Sequence, residues 1–189
     1  MPHVLIENAS PARYEAINRI YGHHVVTGFA TFDEQPPTLD ERRAWFAQFE
    51  HTGVHQLLVA HEGGEVLGFA CSQAYRTHPA FDRTVEFSVY LHPEATGRGL
   101  GRALYADLIT RVAAAGARCV VSGVALPNDA SVALHRSCGF REVGTFLNYA
   151  EKGGHGISST WFQLQPAPPV SASGRPGHDV VGGDRDDGS

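Results

Sequence analysis

The sequence predicts an α+β fold with an α/β centre, in which one mixed sheet is flanked by helices. Two observations predict it. Segments of alternating hydrophobicity and segments with apolar residues at helical spacing follow one another in the order β-α-α-β-β-β-α-β-α-β-β. The chain also has 189 residues, 42% of them hydrophobic, which fits one compact domain with some residues to spare. The predicted strands are residues 3–7, 56–62, 65–75, 84–92, 118–124, 140–150 and 157–165, and the predicted helices are residues 10–25, 38–49, 99–115 and 129–137.

In the first half of the chain, the element boundaries carry local signals. Pro11 suits the first turn of a helix, and apolar residues recur at helical spacing after it. Thr38 and Glu41 form a capping-box pattern at the start of the second helix. Gly63 and Gly64 separate two runs of strand-forming residues, which is a strong hairpin signal.

The second half contains the most regular helix. The segment at 84–92 largely alternates between apolar and polar residues, as a half-buried strand does. A glycine-rich loop then leads into a helix whose leucines and valine recur every four residues: Leu100, Leu104, Leu108 and Val112. A strand at 118–124, a short helix at 129–137 and a final strand pair complete the predicted domain, which spans residues 1–165.

Composition narrows the function classes. Residues 166–189 are rich in Pro, Gly, Ser and Asp, and we predict a disordered tail there. The net charge of −5 and the pI near 6.1 do not indicate nucleic-acid binding. No stretch approaches the ~18 consecutive apolar residues of a membrane span, and no signal peptide is apparent. Three cysteines without a CxxC spacing (Cys71, Cys119 and Cys138) favour a reducing compartment, so we expect a cytoplasmic protein without a zinc ribbon.

Residues 84–103 carry the clearest functional signal. A strand with a glutamate, Glu86, runs into a loop with three alternating glycines that opens a helix. Exposed amides at a helix start form an anion site suited to a pyrophosphate, although a glycine-rich surface turn is an equally good interpretation of the glycines alone. A Walker P-loop is excluded because the loop contains no lysine. The Rossmann fingerprint also fits poorly, because the spacing is GxGxG and the expected later acidic residue is missing.

The loop Thr96-Gly97-Arg98-Gly99-Leu100-Gly101 resembles the acyl-CoA-binding motif of GNAT N-acetyltransferases, Gln/Arg-x-x-Gly-x-Gly/Ala, with Thr96 at the Gln/Arg position. Residues 84–93 and 126–140 are similar to the phosphinothricin and methionine-sulfone acetyltransferase branch. The resemblance covers about residues 17–163. It implies a GNAT-like fold with a mostly antiparallel twisted sheet, and direct transfer of an acetyl group from acetyl-CoA to a primary amine.

The resemblance also implies site residues. Glu86 matches the strand glutamate that serves as general base, and an acidic residue on an apolar strand is costly to bury; pairing with Arg83 is the structural alternative. His135 lies where many members carry a tyrosine that protonates the thiolate, and it is either an acid, an orienting group or a helix-packing residue. The backbone of Val89 is a candidate oxyanion donor. The residues assigned to acetyl-CoA are Val89, Tyr90, Leu91, Gly97, Arg98, Gly99, Leu100, Gly101, Arg102 and Asn128.

Asn128 is also a plausible turn and cap residue, and Cys138 is a better candidate for a small buried thiol than for a nucleophile. The histidines do not predict a metal site: His23 and His24 are adjacent, and the pair His51 and His55 has a glycine between its members. His23 matches a position near the acceptor pocket in the family.

The branch resemblance favours a small acceptor with an α-amino group and a carboxylate or phosphinate. Phe29 and Phe32 lie in the loop expected to roof its pocket, and Arg76 and Arg83 are the candidate anion clamp, with solvated surface arginines as the alternative. Gly156 and Ser158 replace a Trp and an Asp of close relatives, which predicts a wider or reshaped pocket. The resemblance implies a homodimer. Acetylation of a protein N-terminus and a non-catalytic acyl-CoA-binding module are the alternative functions.

Overall fold

The computed structural model describes residues 3–167, so the predicted tail lies, from residue 168 onward, outside the described residues. The elements follow the predicted order and confirm the mixed α and β fold. They are β1 (Leu5–Asn8), α1 (Tyr14–Thr27), α2 (Leu39–Phe46), β2 (Leu57–Glu62), β3 (Glu65–Ala74), β4 (Thr84–Leu91), α3 (Leu100–Ala114), β5 (Cys119–Ala125), α4 (Asp129–Ser137), β6 (Arg141–Lys152) and β7 (His155–Leu164). None of the helices within residues 3–167 has the length and apolar character needed to cross a membrane.

The seven strands form one sheet in the order β1-β2-β3-β4-β5-β7-β6. Every neighbouring pair is antiparallel except β4 and β5, which run parallel. The parallel ladder is short, because it joins only residues 84–86 to residues 119–121. Beyond that point no ladder bonds join β4 to β5 within the described residues, and the sheet opens between them.

The two faces of the sheet are covered by different helices. On one face, the fully buried Leu104, Leu108 and Val112 of α3 pack against Val85 and Phe87 of β4. On the other face, α1 and α2 bury a second cluster that includes Ile17, Ile20 and Phe46 with Phe69 and Cys71. Each fully buried large aliphatic or aromatic side chain contributes roughly 1.5–3 kcal/mol of transfer free energy. Because the strand residues alternate between these clusters, each β4 side chain faces either the α3 side or the α1–α2 side.

Most element boundaries differ from the predicted ones by one to four residues, and three of the differences have a local cause. Ser10 has extended backbone but makes no side-chain cap bond, and a 3-10 turn at Pro11–Arg13 precedes α1. The capping box of α2 forms with both reciprocal hydrogen bonds, but the helix ends at Phe46, and two i→i+3 bonds then carry the chain to Phe49. The last hairpin extends to Lys152, because its turn consists of two glycines with positive φ, Gly153 and Gly154.

Candidate active site

A cleft of about 430 Å³ lies where β4 and β5 separate. Residues 87–91 of β4 form one wall, residues 122–125 of β5 form the opposite wall, and the start of α3 and residues of α4 close the cleft. The hydroxyl of Ser122 donates to the carbonyl oxygen of Phe87 at 3.0 Å, which bridges the strands just beyond the last ladder pair. The opening is therefore a consequence of the short parallel ladder.

The glycine-rich loop presents free backbone amides to this cleft. Gly97 and Gly99 have φ angles of +74° and +77°, which only glycine adopts at low cost, and no atom lies within 4 Å of a Cβ built on either residue. Gly99 is the N-cap of α3 and supplies no capping side chain. The first amide with a helical acceptor is that of Ala103, which donates to the carbonyl oxygen of Gly99. The preceding amides, together with the helix dipole, suit a pyrophosphate.

Gly101 has a different role, because a Cβ there would lie 3.1 Å from the Cδ2 of Leu134. The absence of a side chain therefore lets α3 approach α4 closely. Leu100 is buried at the same helix start, next to the cleft. The loop therefore offers backbone amides to a phosphate group of acyl-CoA, and the close packing of α3 on α4 holds the start of the helix in place.

The polar side chains around the loop divide into two groups. Arg102 and Asn128 line the cleft, and Asn128 also caps α4 by accepting from the amide of Ser131 at 3.1 Å. Arg98 does not line the cleft, since its Nη2 donates to Oε2 of Glu62 at 3.0 Å. Thr96 lines the cleft, but its hydroxyl donates to the carbonyl oxygen of Pro93. Arg102 is therefore the cation of this loop that faces the cleft.

The backbone of Val89 points into the opening of the sheet. The β3–β4 ladder has no bulge, and the amide of His92 donates to the carbonyl oxygen of Leu67 at 2.8 Å, so the even-numbered residues of β4 bond to β3. Odd-numbered residues direct their amides and carbonyls to the other side, as the Ser122–Phe87 bond shows. The amide of Val89, beyond the last pair with β5, is thus free to bind an acyl oxygen. Tyr90 and Leu91 continue the same wall.

His135 is buried at the inner end of the cleft, where three hydrogen-bonding groups surround its ring. Nδ1 lies 2.7 Å from the carbonyl oxygen of Ser131, which can only accept, so Nδ1 carries the proton. Nε2 is then an acceptor, and the hydroxyl of Tyr105 donates to it at 3.2 Å. The hydroxyl of Ser122 lies 2.8 Å from Nε2 and shares its one hydrogen between Nε2 and the carbonyl oxygen of Phe87. Burial lowers the pKa of His135 from its ordinary value, which favours a neutral imidazole. This geometry fits an orienting group better than an acid.

Glu86 lies on the α1–α2 face of β4 and makes no hydrogen bond or ion pair through its carboxylate within residues 3–167. The alternative pairing with Arg83 is therefore absent from the described residues. Burial raises the pKa of Glu86 from its ordinary value. A carboxylate of this kind, half-buried and without a cationic partner, is a stronger base than an ordinary glutamate and is chemically suited to act as a general base.

A second, smaller cavity of about 210 Å³ lies on this same face of the sheet. Ser88 and Tyr90 line both this cavity and the cleft, so the two spaces meet at β4. Its polar lining includes Asp33, Gln73 and the buried guanidinium of Arg42. The sequence prediction missed Arg42, although its spacing from Trp45 and Phe46 places all three on one face of α2.

The residues predicted to bind the acceptor line neither cavity. Phe29 and Phe32 are exposed in the loop between α1 and α2, and the Phe32 ring packs edge-on against Tyr149 at 6.1 Å. The guanidinium of Arg76 lies over the rings of Tyr75 and Phe81, and Arg83 is exposed before β4. Their acceptor-binding roles stay predictions.

The final hairpin leaves no void at Gly156, and the wider or reshaped pocket stays a prediction. A Cβ on Gly156 would lie 3.0 Å from Oδ1 of Asn148, whose side chain occupies that space. The amide of Asn148 donates to the hydroxyl of Ser158, and its own φ is +48°. Lys152 at the end of β6 is buried and reaches back to the first helix.

Two further sequence hypotheses concern histidines and a thiol. His24, rather than His23, lines the cleft, and its Nε2 lies 2.8 Å from the carbonyl oxygen of Leu91. Cys138 lines neither cavity, and burial raises the pKa of its thiol, which disfavours a thiolate nucleophile. Within residues 3–167, no group of three or more His, Cys, Asp or Glu is arranged to hold a metal ion.

Comparison with known proteins identifies the family to which this geometry belongs. Residues 17–140 match the family model described as the Acetyltransferase (GNAT) family. The chain belongs to the GNAT acetyltransferase family. The predicted family, fold and acetyl-CoA co-substrate are thereby confirmed, and the chain is an acetyl-CoA-dependent acetyltransferase.

Three relatives show how closely this GNAT acetyltransferase matches known proteins. A phosphinothricin N-acetyltransferase of Streptomyces coelicolor is 40% identical over 146 residues, which are 76% of this chain and 85% of the relative. An L-methionine sulfoximine/L-methionine sulfone acetyltransferase of Salmonella typhimurium is 36% identical over 160 residues, 85% of this chain and 93% of the relative. A third match is the crystal structure of a GNAT superfamily phosphinothricin acetyltransferase from Sinorhizobium meliloti in complex with acetyl-CoA. Its TM-score is 0.82 at 29% sequence identity, and the match covers 94% of this chain and 97% of the crystallised chain.

Proposed function

We propose that this acetyltransferase acetylates the primary α-amine of a small amino-acid-like molecule, of the phosphinothricin or methionine sulfone/sulfoximine type. The observation that carries the proposal is the meeting of two cavities at Ser88 and Tyr90. An acyl donor on one side of β4 and an amine on the other would approach each other there. The named activities of the Streptomyces and Salmonella relatives support an acceptor of this class.

The residues of the cleft divide the work of acyl transfer with Glu86, which lies beside Ser88 on β4 and lines neither cavity itself. Acetyl-CoA supplies the acetyl group as an activated thioester. The amides at the start of α3, together with Arg102, hold the pyrophosphate, and the amide of Val89 donates to the acyl oxygen. Glu86 accepts the proton of the attacking ammonium, through a water molecule. His135 accepts from the hydroxyl of Tyr105 and so fixes it at the inner end of the cleft. The thiolate of CoA leaves as the bond between the acyl carbon and the amine nitrogen forms, and it takes up a proton from water.

The test is release of free thiol from acetyl-CoA across a panel of amines. The panel contains methionine sulfone, methionine sulfoximine, phosphinothricin, the common amino acids, several aminoglycosides and a short peptide with a free N-terminus. We expect turnover on the amino-acid analogues and its loss in Glu86→Gln. Glu65→Gln is a matched control, because this exposed glutamate at the start of β3 lines neither cavity, and it should retain the wild-type rate.

Two alternatives predict different outcomes. A protein N-terminal acetyltransferase would turn over the peptide and leave the free amino acids untouched. An acyl-CoA-binding module without activity would bind acetyl-CoA, release no thiol with any amine, and be indifferent to Glu86→Gln. Either result would refute the proposal.

We propose a cytoplasmic location as well, which the three free cysteines support.

We also propose a homodimer, joined through β6. This strand is at the edge of the sheet, and its large apolar side chains are exposed, with Val143 at 67%, Phe146 at 58% and Leu147 at 77%. Long exposed apolar edge strands are uncommon in monomers, because they pair with other chains. Sedimentation of the wild type and of Phe146→Ser with Leu147→Ser tests this: we expect a dimer for the wild type and a monomer for the double variant.

A further inference from the structure

Arg42 is the least expected residue of the second cavity. Its side chain is only 7% exposed, and its Cζ lies 3.8 Å from the ring centroid of Trp45 and 4.1 Å from that of Tyr21. The two rings hold the guanidinium between them, which fixes its position with favourable cation–π contacts. The position of this charge is therefore determined before any ligand arrives.

The edge of this guanidinium lacks acceptors. Nε and Nη2 are both buried, and neither has a hydrogen-bond partner within residues 3–167. Asp33, the carboxylate that lines the same cavity, accepts from the hydroxyl of Tyr21 at 2.7 Å and makes no ion pair with Arg42. Two unpartnered donors on a buried charge cost free energy, because water no longer solvates them. A protein can retain two such donors at a site where a ligand supplies the missing acceptors.

The cavity places this cation next to the reacting centre. Gln73 and Ser88, on β3 and β4, line the cavity beside Arg42. Ser88 lies two residues after Glu86 on the same face of β4, and Gln73 is the ladder partner of Glu86. An acceptor held at Arg42 therefore lies beside both the general base and the junction with the acetyl-CoA cleft.

We propose that Arg42, whose guanidinium lines the second cavity and lacks acceptors, binds the acidic group of the acceptor, a carboxylate. This inference rests on the proposed function and names the residue that selects for an amino acid over a simple amine. Nε and one Nη of a guanidinium match the two oxygens of a carboxylate. The assignment replaces Arg76 and Arg83, the arginines that the sequence favours, with one that lines the cavity.

The test compares two acceptors in two proteins: methionine sulfone and its carboxamide, with the wild type and Arg42→Gln. We expect kcat/KM for the acid to fall about 30- to 100-fold, mainly through KM, as charge-assisted hydrogen bonds are lost. The value for the carboxamide should change less than about threefold, since the neutral ligand gains little from the charge. A purely structural role for Arg42 would lower both values equally, and that result would overturn the proposal.

Three further variants sharpen the comparison. Arg43→Gln is the matched control, because the neighbouring arginine is exposed and pairs with Asp40; it should leave the acid-to-amide ratio unchanged. Arg76→Gln tests the competing assignment, and loss of the ratio in this variant alone would overturn ours. Arg42→Lys carries the test if Arg42→Gln does not fold. Its point charge should retain part of the preference for the acid, and an unchanged wild-type preference in this variant would count against the bidentate contact.

A binding measurement separates failure of the subsite from failure of the proposed function. Trp45 stacks on Arg42, so its fluorescence should change when methionine sulfone binds in the absence of acetyl-CoA. A response to the acid but not to the carboxamide, without turnover on any amine, would refute the proposed function and support the subsite. Turnover with an acid-to-amide ratio unchanged in Arg42→Gln would support the function and refute the subsite. No response to the acid would also refute the subsite.

Discussion

Lys152 is the only lysine of the chain, and it connects the last hairpin to the first helix. Its Nζ donates to the carbonyl oxygens of Val25, Gly28 and Thr31 at 2.7, 2.9 and 2.9 Å, and the residue is 8% exposed. Val25 is in the last turn of α1, where carbonyls lack helical partners and a positive charge is favourable. Lys152 therefore fixes the start of the loop that leads to Asp33 and the second cavity.

Replacing Lys152 with methionine keeps the apolar stem and removes the three donors. Each buried acceptor left without a partner costs about 1–3 kcal/mol, and relief from burying the ammonium offsets part of the sum. We expect the free energy of unfolding to fall by about 3 kcal/mol, which lowers Tm by roughly 6–12 °C for a domain of this size. The KM for the acceptor should rise as well, since the loop no longer holds its position.

Urea unfolding followed by tryptophan fluorescence measures this loss. Arg141→Met is the control, because Arg141 is exposed at the other end of β6 and makes no ion pair within residues 3–167; its effect should stay within about 0.5 kcal/mol. A loss below about 1 kcal/mol for Lys152→Met would show that water replaces the ammonium, and the reasoning on the buried bonds would be wrong.

Three further predictions concern the cleft. Glu86→Gln should lower kcat about 10²- to 10⁴-fold. Because burial raises the pKa of Glu86, wild-type kcat/KM should rise with pH through that raised pKa, and the rise should be absent in the variant; an unchanged pH–rate profile contradicts the role of base. Above that pH the variant should be the more stable protein, because it has no buried carboxylate to ionise. His135→Ala should lower the free energy of unfolding by about 2 kcal/mol. Because burial lowers the pKa of His135, wild-type stability should fall as pH drops through the ordinary histidine value, and urea titrations of the variant should lack that slope. Gly99→Ala should cost about 1–2 kcal/mol through its φ of +77° and raise the KM for acetyl-CoA, and an unaltered KM would argue against the loop as phosphate site.

The features that were predictable from sequence are those fixed by residues close together in the chain. The capping box at Thr38 and the glycine loop at 97–101 depend on neighbouring residues, and the structure contains both. Motifs within short segments also carry the predicted roles of Glu86 and His135, which stay predictions. The short β4–β5 ladder, which creates the cleft, has no local signal, because its two strands are separated in the chain by α3.

The residues that sequence reasoning missed depend on contacts between distant segments. Arg42 is flanked by Glu41 and Arg43 and so resembles a solvated helix face, yet packing of α2 on β3 buries it. Lys152 bonds to residues more than 120 positions away. Conversely, Arg98 belongs to the matching motif, but an ion pair with Glu62 directs its side chain away from the cleft.

We propose that the enzyme transfers an acetyl group directly from acetyl-CoA to an amine, with Glu86 as the base. The most direct test incubates the enzyme with acetyl-CoA, with and without methionine sulfone, and records the masses of both protein and acceptor. We predict one acetyl group on the acceptor for each thiol released, an unmodified protein, and product formation at least about 10²-fold slower with Glu86→Gln. An acetyl group on the protein, for example on Cys138, or an acetylated acceptor at the wild-type rate with Glu86→Gln, would contradict the account.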